Sequence, residues 1–127
     1  MSGNEGSLHE EERSEEREII FKETLAAGTT VKSTKDFFTT GRITQIMFHF
    51  PPGTSGLLDM RLFKDGKQMY PSKDFMALDD ATPVYYVSAA YYPHEPLAVE
   101  FRNRDDTYEH TGTCSVVIRF KKPSWWA

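Results

Sequence analysis

Cysteine is almost missing from this chain: Cys114 stands alone among 127 residues. A disulfide framework within the chain is therefore excluded, and folding in a reducing compartment is the simplest expectation. Long apolar runs are missing too. No stretch approaches the ~18 residues that a membrane-spanning helix needs, and the first residues lack the basic-then-apolar pattern of a secretory signal. The sequence thus predicts cytoplasmic folding without membrane insertion, with incorporation into a virion or other particle as the alternative destination. The body also lacks charge of one sign. Residues 1–18 carry seven Glu against two Arg, a local charge of -5, and the remaining 109 residues hold thirteen Lys or Arg against twelve Asp or Glu. A body so close to neutral has no basic footprint for nucleic acid and no polybasic patch for a lipid surface.

Catalytic signatures are also absent. The chain has no G-x-S-x-G, no phosphate-binding glycine loop and no dinucleotide fingerprint. It reads as a non-enzyme. His110 and Cys114 are four apart, which on a strand puts them on one face about 13 Å from each other, too far to share an ion. His49 and His94 could converge only through the tertiary fold. No metal centre and no cofactor is predicted.

What the sequence has in quantity is alternation. "EIIFKETL" sets Ile19, Phe21 and Leu25 on one face, and "GRITQIMFHF" sets Ile46, Phe48 and Phe50 opposite Ile43, Gln45, Met47 and His49. "LLDMRLF" turns Leu58, Met60 and Leu62 inward and Asp59 and Arg61 outward. "LAVEFRN" does the same with Leu97, Val99 and Phe101, and "TGTCSVVIRF" with Cys114, Val116, Ile118 and Phe120. A period of two marks strands with one buried face. Asp65-Gly66 between two such runs is a hairpin signal. "TPVYYVSAAYY" is apolar or small on both faces, so it is either covered twice or lines an interface. No window reads as an amphipathic helix.

About seven to nine short strands with frequent turn signals predict an all-β chain, an antiparallel β-sandwich of jelly-roll or Greek-key type. Residues 1–17 are predicted to form a disordered acidic tail, because so little apolar surface cannot offset chain entropy. Residues 18–122 form the sandwich, and 123–127 a C-terminal aromatic tail. "HFPPGTSGLL" reads as a corner: Pro51 and Pro52 cannot donate to a ladder, and Gly53 and Gly56 let the chain turn.

The surface candidates are aromatic. Tyr85, Tyr86, Tyr91 and Tyr92 flank one strand, and Trp125 and Trp126 end the chain. Such rings combine a large apolar area with a polar handle and suit subunit contacts or sugar stacking. Pro51 and Pro52 join them as a stiff contact surface. Asn103, Asp105 and Asp106, with Asp79 and Asp80, supply the hard oxygens that calcium takes, although Asx residues also serve plain turns.

"FHFPPGTSGLLDMRLFKDGKQMYP", "ALDDATPVYY", "LAVEFRNRDDTYEH" and "TCSVVIRF" together resemble the small jelly-roll domains of virus and phage structural proteins. The likeness spans roughly residues 41–120 and is one of strand rhythm and turn placement, so no functional residue is carried over. It implies a non-enzymatic subunit that assembles symmetrically. The expectation is a self-associating structural or interaction module, a homo-oligomer (trimer or pentamer) associated with a virion or particle. The alternative is a carbohydrate-binding module whose glycan partner would be held by surface aromatics and loop carboxylates.

Overall fold

The computed structural model describes residues 14–122. Eight strands follow one another without a helix: β1 (Ser14–Leu25), β2 (Thr30–Lys35), β3 (Gly41–His49), β4 (Leu58–Lys64), β5 (Lys67–Tyr70), β6 (Val84–Tyr91), β7 (Leu97–Asn103) and β8 (His110–Lys121). They form two four-stranded antiparallel sheets. Sheet A runs β1-β8-β3-β6 and sheet B runs β2-β7-β4-β5. Consecutive strands mostly alternate between the sheets, the Greek-key winding of a jelly roll.

The core is where the alternation puts it. Phe21, Ile46, Phe48, Leu58, Met60, Leu62, Leu97, Val99, Phe101, Cys114, Val116 and Ile118 are fully buried between the sheets. At roughly 25 cal/mol per Å² of apolar surface, these rings and branched chains are the main source of stability. Asp65 and Gly66 both take positive φ, 53° and 78°, so the β4–β5 connection is the two-residue turn whose twist matches its strands. Gly41 is required for a different reason. A Cβ there would lie 2.6 Å from the Arg119 carbonyl oxygen and 2.7 Å from Ile118 Cγ2, so β3 and β8 could not close.

Two expectations need correction. Ile43 belongs to the core, fully buried, and does not share the outward face with Gln45 and Met47. The register shifts between Ile43 and Gln45 against both neighbouring strands, and this bulge at Thr44 carries Ile43 to the inward side. The boundary at 17/18 also moves. β1 already begins at Ser14, with Ser14 opposite Lys121 and Arg17 opposite Ile118. The acidic residues there have basic partners: Glu16 Oε2 lies 3.5 Å from Arg119 Nη2, and Glu15 Oε1 lies 4.0 Å from Lys122 Nζ. The rest of the predicted tail, and Trp125 and Trp126, lie outside the described residues.

Candidate interaction surface

The outward face of sheet A can be read row by row from the register. Ile20 stands opposite Ser115, Ser115 opposite Met47, and Met47 opposite Val84. In the next row Glu18, Val117, Gln45 and Tyr86 follow one another. Ile20, Val84 and Tyr86 are exposed at 45%, 40% and 82%, which makes Tyr86 the most exposed large apolar side chain among the described residues. Between them lies a polar atom without a partner. Ser115 is buried, and its Oγ has no hydrogen bond among the described residues. An unpaired hydroxyl of this kind costs free energy, so evolution rarely leaves one without a reason.

The four tyrosines of the predicted patch divide. Tyr86 points out from β6. Tyr92 lies just beyond the strand, half exposed, with its ring stacked 6.3 Å from His94. Tyr85 shares the inward side with Ile46 and packs against the core, its ring 4.4 Å from Tyr70 and its hydroxyl 3.9 Å from Met76 Sδ. Tyr91 is no surface residue at all. It is fully buried, its hydroxyl accepting from Phe37 N at 2.8 Å and donating to Asp36 Oδ1 at 3.0 Å. Burial, reinforced by Asp36, pushes that phenol up to about 12. Parity explains the split, because 85 and 91 fall on the inward side of β6 and 86 on the outward side.

The calcium candidates are occupied by structure. Asn103 is buried, its Nδ2 donating to the carbonyls of Leu25, Ala26 and Tyr108, and its Oδ1 accepting from Asp105 N. Asp105 accepts from Thr107 N and Tyr108 N and lies 2.8 Å from His110 Nε2. The His110 contact, with those amides, holds the Asp105 carboxyl below its ordinary value. Asp106 accepts from the Thr107 hydroxyl. These are turn-forming bonds, the plain-turn use of Asx residues. Among the described residues no group of three or more His, Cys, Asp or Glu side chains converges on a common point.

Pro51 to Gly56 is the corner foreseen, and its fastening was not legible. Asp79 Oδ1 accepts from Gly53 N at 3.0 Å, Ser55 N at 3.1 Å and the Thr54 hydroxyl at 3.2 Å, while that hydroxyl also lies 2.8 Å from the Leu78 carbonyl. The Ser55 amide foremost draws the Asp79 carboxyl below its ordinary value. Thr54 is fully buried under the loop. Pro52 is exposed and Pro51 half-buried, so the corner presents a rigid rim.

Sheet B presents a different outward face. The Asp59 carboxylate, 1% exposed, accepts from Arg102 Nε at 2.6 Å and from Arg104 Nε at 2.7 Å. Arg61 pairs with Glu100 at 2.6 Å. The Phe75 ring carries the guanidinium carbons of Arg61 and Arg102, each 4.1 Å from its centroid. Phe63 lies under Lys32 Nζ at 4.3 Å. Cations, anions and rings satisfy one another there. The sequence showed these residues as an ordinary polar face, because the pairing joins strands far apart in the chain.

No family model and no curated protein sequence matches this chain. The likenesses among solved structures are ones of fold. A structure of Bacillus endospore appendages, described as a family of disulfide-linked pili, superposes with a TM-score of 0.51 at 12% identity, over 87% of this chain and 89% of that one. The crystal structure of FLHE gives 0.46 at 14%, over 85% and 97%. The VP2 subviral particle of infectious bursal disease virus gives 0.41 at 12%, over 90% of this chain and 34% of that one. The appendage structure thus shares the β-sandwich fold of this chain.

Proposed function

We propose that this chain is a non-enzymatic structural module that associates with copies of itself, as a subunit of a particle or appendage. The observation that carries this reading is the β6 border of sheet A, where Val84 and Tyr86 stand 40% and 82% exposed on a strand without a charge. Apolar surface of this kind is favoured at subunit contacts, where removing it from water supplies the driving force. The appendage protein that shares the fold is described as part of an assembled, disulfide-linked filament. This chain would have to assemble without such a link. Its single cysteine, Cys114, is buried, and burial pushes the thiol well above its ordinary value, so the thiolate that exchange requires is suppressed.

Multi-angle light scattering after gel filtration tests the reading. The protomer weighs 14.6 kDa. A mass at a multiple of that value, rising with concentration to a plateau, is the expected result. A clean monomer at high micromolar concentration would overturn it.

A further inference from the structure

The sandwich has four strand edges, β1 and β6 in sheet A and β2 and β5 in sheet B. An edge offers a row of unpaired peptide groups, and proteins blunt such rows with charge, proline or brevity. Three of the four are blunted. β1 carries Glu15, Glu16, Arg17, Glu18, Lys22 and Glu23, and its Ile20 carbonyl accepts from Lys35 Nζ at 2.6 Å. β2 carries Lys32 and Lys35. β5 is four residues long and stops at Pro71. The fourth, β6, reads VYYVSAAY over eight residues, without a charge or a proline.

We infer that β6 is the strand by which two copies of this chain join, pairing antiparallel with β6 of a second copy about a two-fold axis normal to the sheet. The inference rests on the self-association proposed above and identifies its contact. Three observations converge on it. First, the free side of β6 is open: among the described residues β6 pairs with β3 alone, and no turn or loop makes a backbone bond to its other side. Second, the direction of its peptide groups is fixed. Phe48 N donates to the Pro83 carbonyl at 3.1 Å, so in an antiparallel ladder Tyr85 turns its N–H and C=O toward β3 while Val84 and Tyr86 turn theirs to the free edge. Third, the strand is complementary to itself. β6 carries no charge, so antiparallel pairing with its own copy sets no like charges opposite one another.

The axis fixes the parity of the register. Rotation about the sheet normal keeps outward faces on one side, so even-numbered positions meet even-numbered ones. Among the registers that parity allows, the one that sets the two exposed Tyr86 rings together places Tyr86 opposite Tyr86 and Val84 opposite Ser88. Two four-stranded sheets become one continuous sheet, and the exposed Tyr86 ring finds an aromatic neighbour. The contact is isologous, so the unit it builds is a dimer and not the trimer or pentamer suggested by the sequence.

The test is light scattering over a concentration series with the full chain and three variants. Tyr86→Pro deletes an edge N–H without touching the β3 ladder, and Tyr86→Lys places a charge where edges usually carry one. Ile20→Lys charges the same sheet face at its far strand. Loss of two backbone bonds per contact weakens association by about tenfold or more in Tyr86→Pro. Tyr86→Lys should do the same, and at dilutions where the parent is also monomeric its melting should match the parent's, because the side chain is 82% exposed. Ile20→Lys should associate like the parent. If Tyr86→Pro does not fold, Tyr86→Lys decides. An assembly that survives the Tyr86 variants, or that Ile20→Lys dissolves instead, overturns the edge contact and leaves self-association standing. A parent chain that stays monomeric throughout overturns both.

Discussion

The two outward faces of this sandwich solve the same problem in opposite ways. On sheet B, Asp59 sits beneath Arg102 and Arg104, Arg61 pairs with Glu100, and Phe75 fills the space between guanidiniums. Asp59, Arg61, Glu100, Arg102 and Arg104 there each have a counter-charge within reach. On sheet A, a row of Ile20, Met47 and Val84 around Ser115 ends at the bare strand β6, and among the described residues the Ser115 hydroxyl has no partner. A face that closes on itself gains nothing from a neighbour. A face that leaves apolar area and peptide groups open does, and the strand order that produces both is the same.

Removing the Asp59 carboxylate tests the closed face and carries the largest expected effect. Asp59→Ala strands two arginines, and thermal or urea unfolding should show a loss of about 2 kcal/mol, less than for a fully buried pair because both guanidinium side chains are 43% exposed. Tyr91→Phe comes next. It leaves the buried Phe37 N–H without its acceptor and should cost about 1 kcal/mol, while the oligomeric state stays that of the parent. The contrast with Tyr86→Lys, which should change association and leave the melting of dilute, monomeric protein as it is, separates a core tyrosine from a surface one five residues away.

Acid sharpens the same division. The Asp79 and Asp105 carboxyls are held below their ordinary value of 3.8 by amides and, for Asp105, by His110. A carboxyl whose folded value is lowered stabilises the fold above the unfolded value, and that contribution is lost as pH falls through the folded one. Stability should therefore drop below about pH 4, and Asp79→Asn should flatten part of that drop in a pH series of melting curves. The smallest effect belongs to Ser115→Ala. Deleting an unsatisfied hydroxyl should stabilise the protomer by less than about 1 kcal/mol, read by urea unfolding of dilute protein.

Much of this fold could be read from alternation alone. Inward residues of β1, β4, β7 and β8 were placed by period two, and Asp65-Gly66 announced its own turn. Where reading failed, tertiary structure had intervened. The bulge at Thr44 leaves no mark in composition, so Ile43 fell on the wrong side. Tyr91 and Tyr86 look alike in a string and differ only once β6 is known to border one sheet. Asn103 has the chemistry of a ligand, yet it spends every donor on backbone carbonyls brought in from β1 and the β7–β8 loop. The apolar row across sheet A joins β1, β8, β3 and β6, so no local window contains it.

Hydrogen exchange measured residue by residue at low and high protein concentration tests the central claim most directly. The account predicts that the Val84 and Tyr86 amides gain protection as concentration rises, while amides on the lysine-bearing β2 edge exchange at a constant rate. Equal exchange of the β6 amides at both concentrations, in a sample whose mass has risen above the protomer, would contradict it.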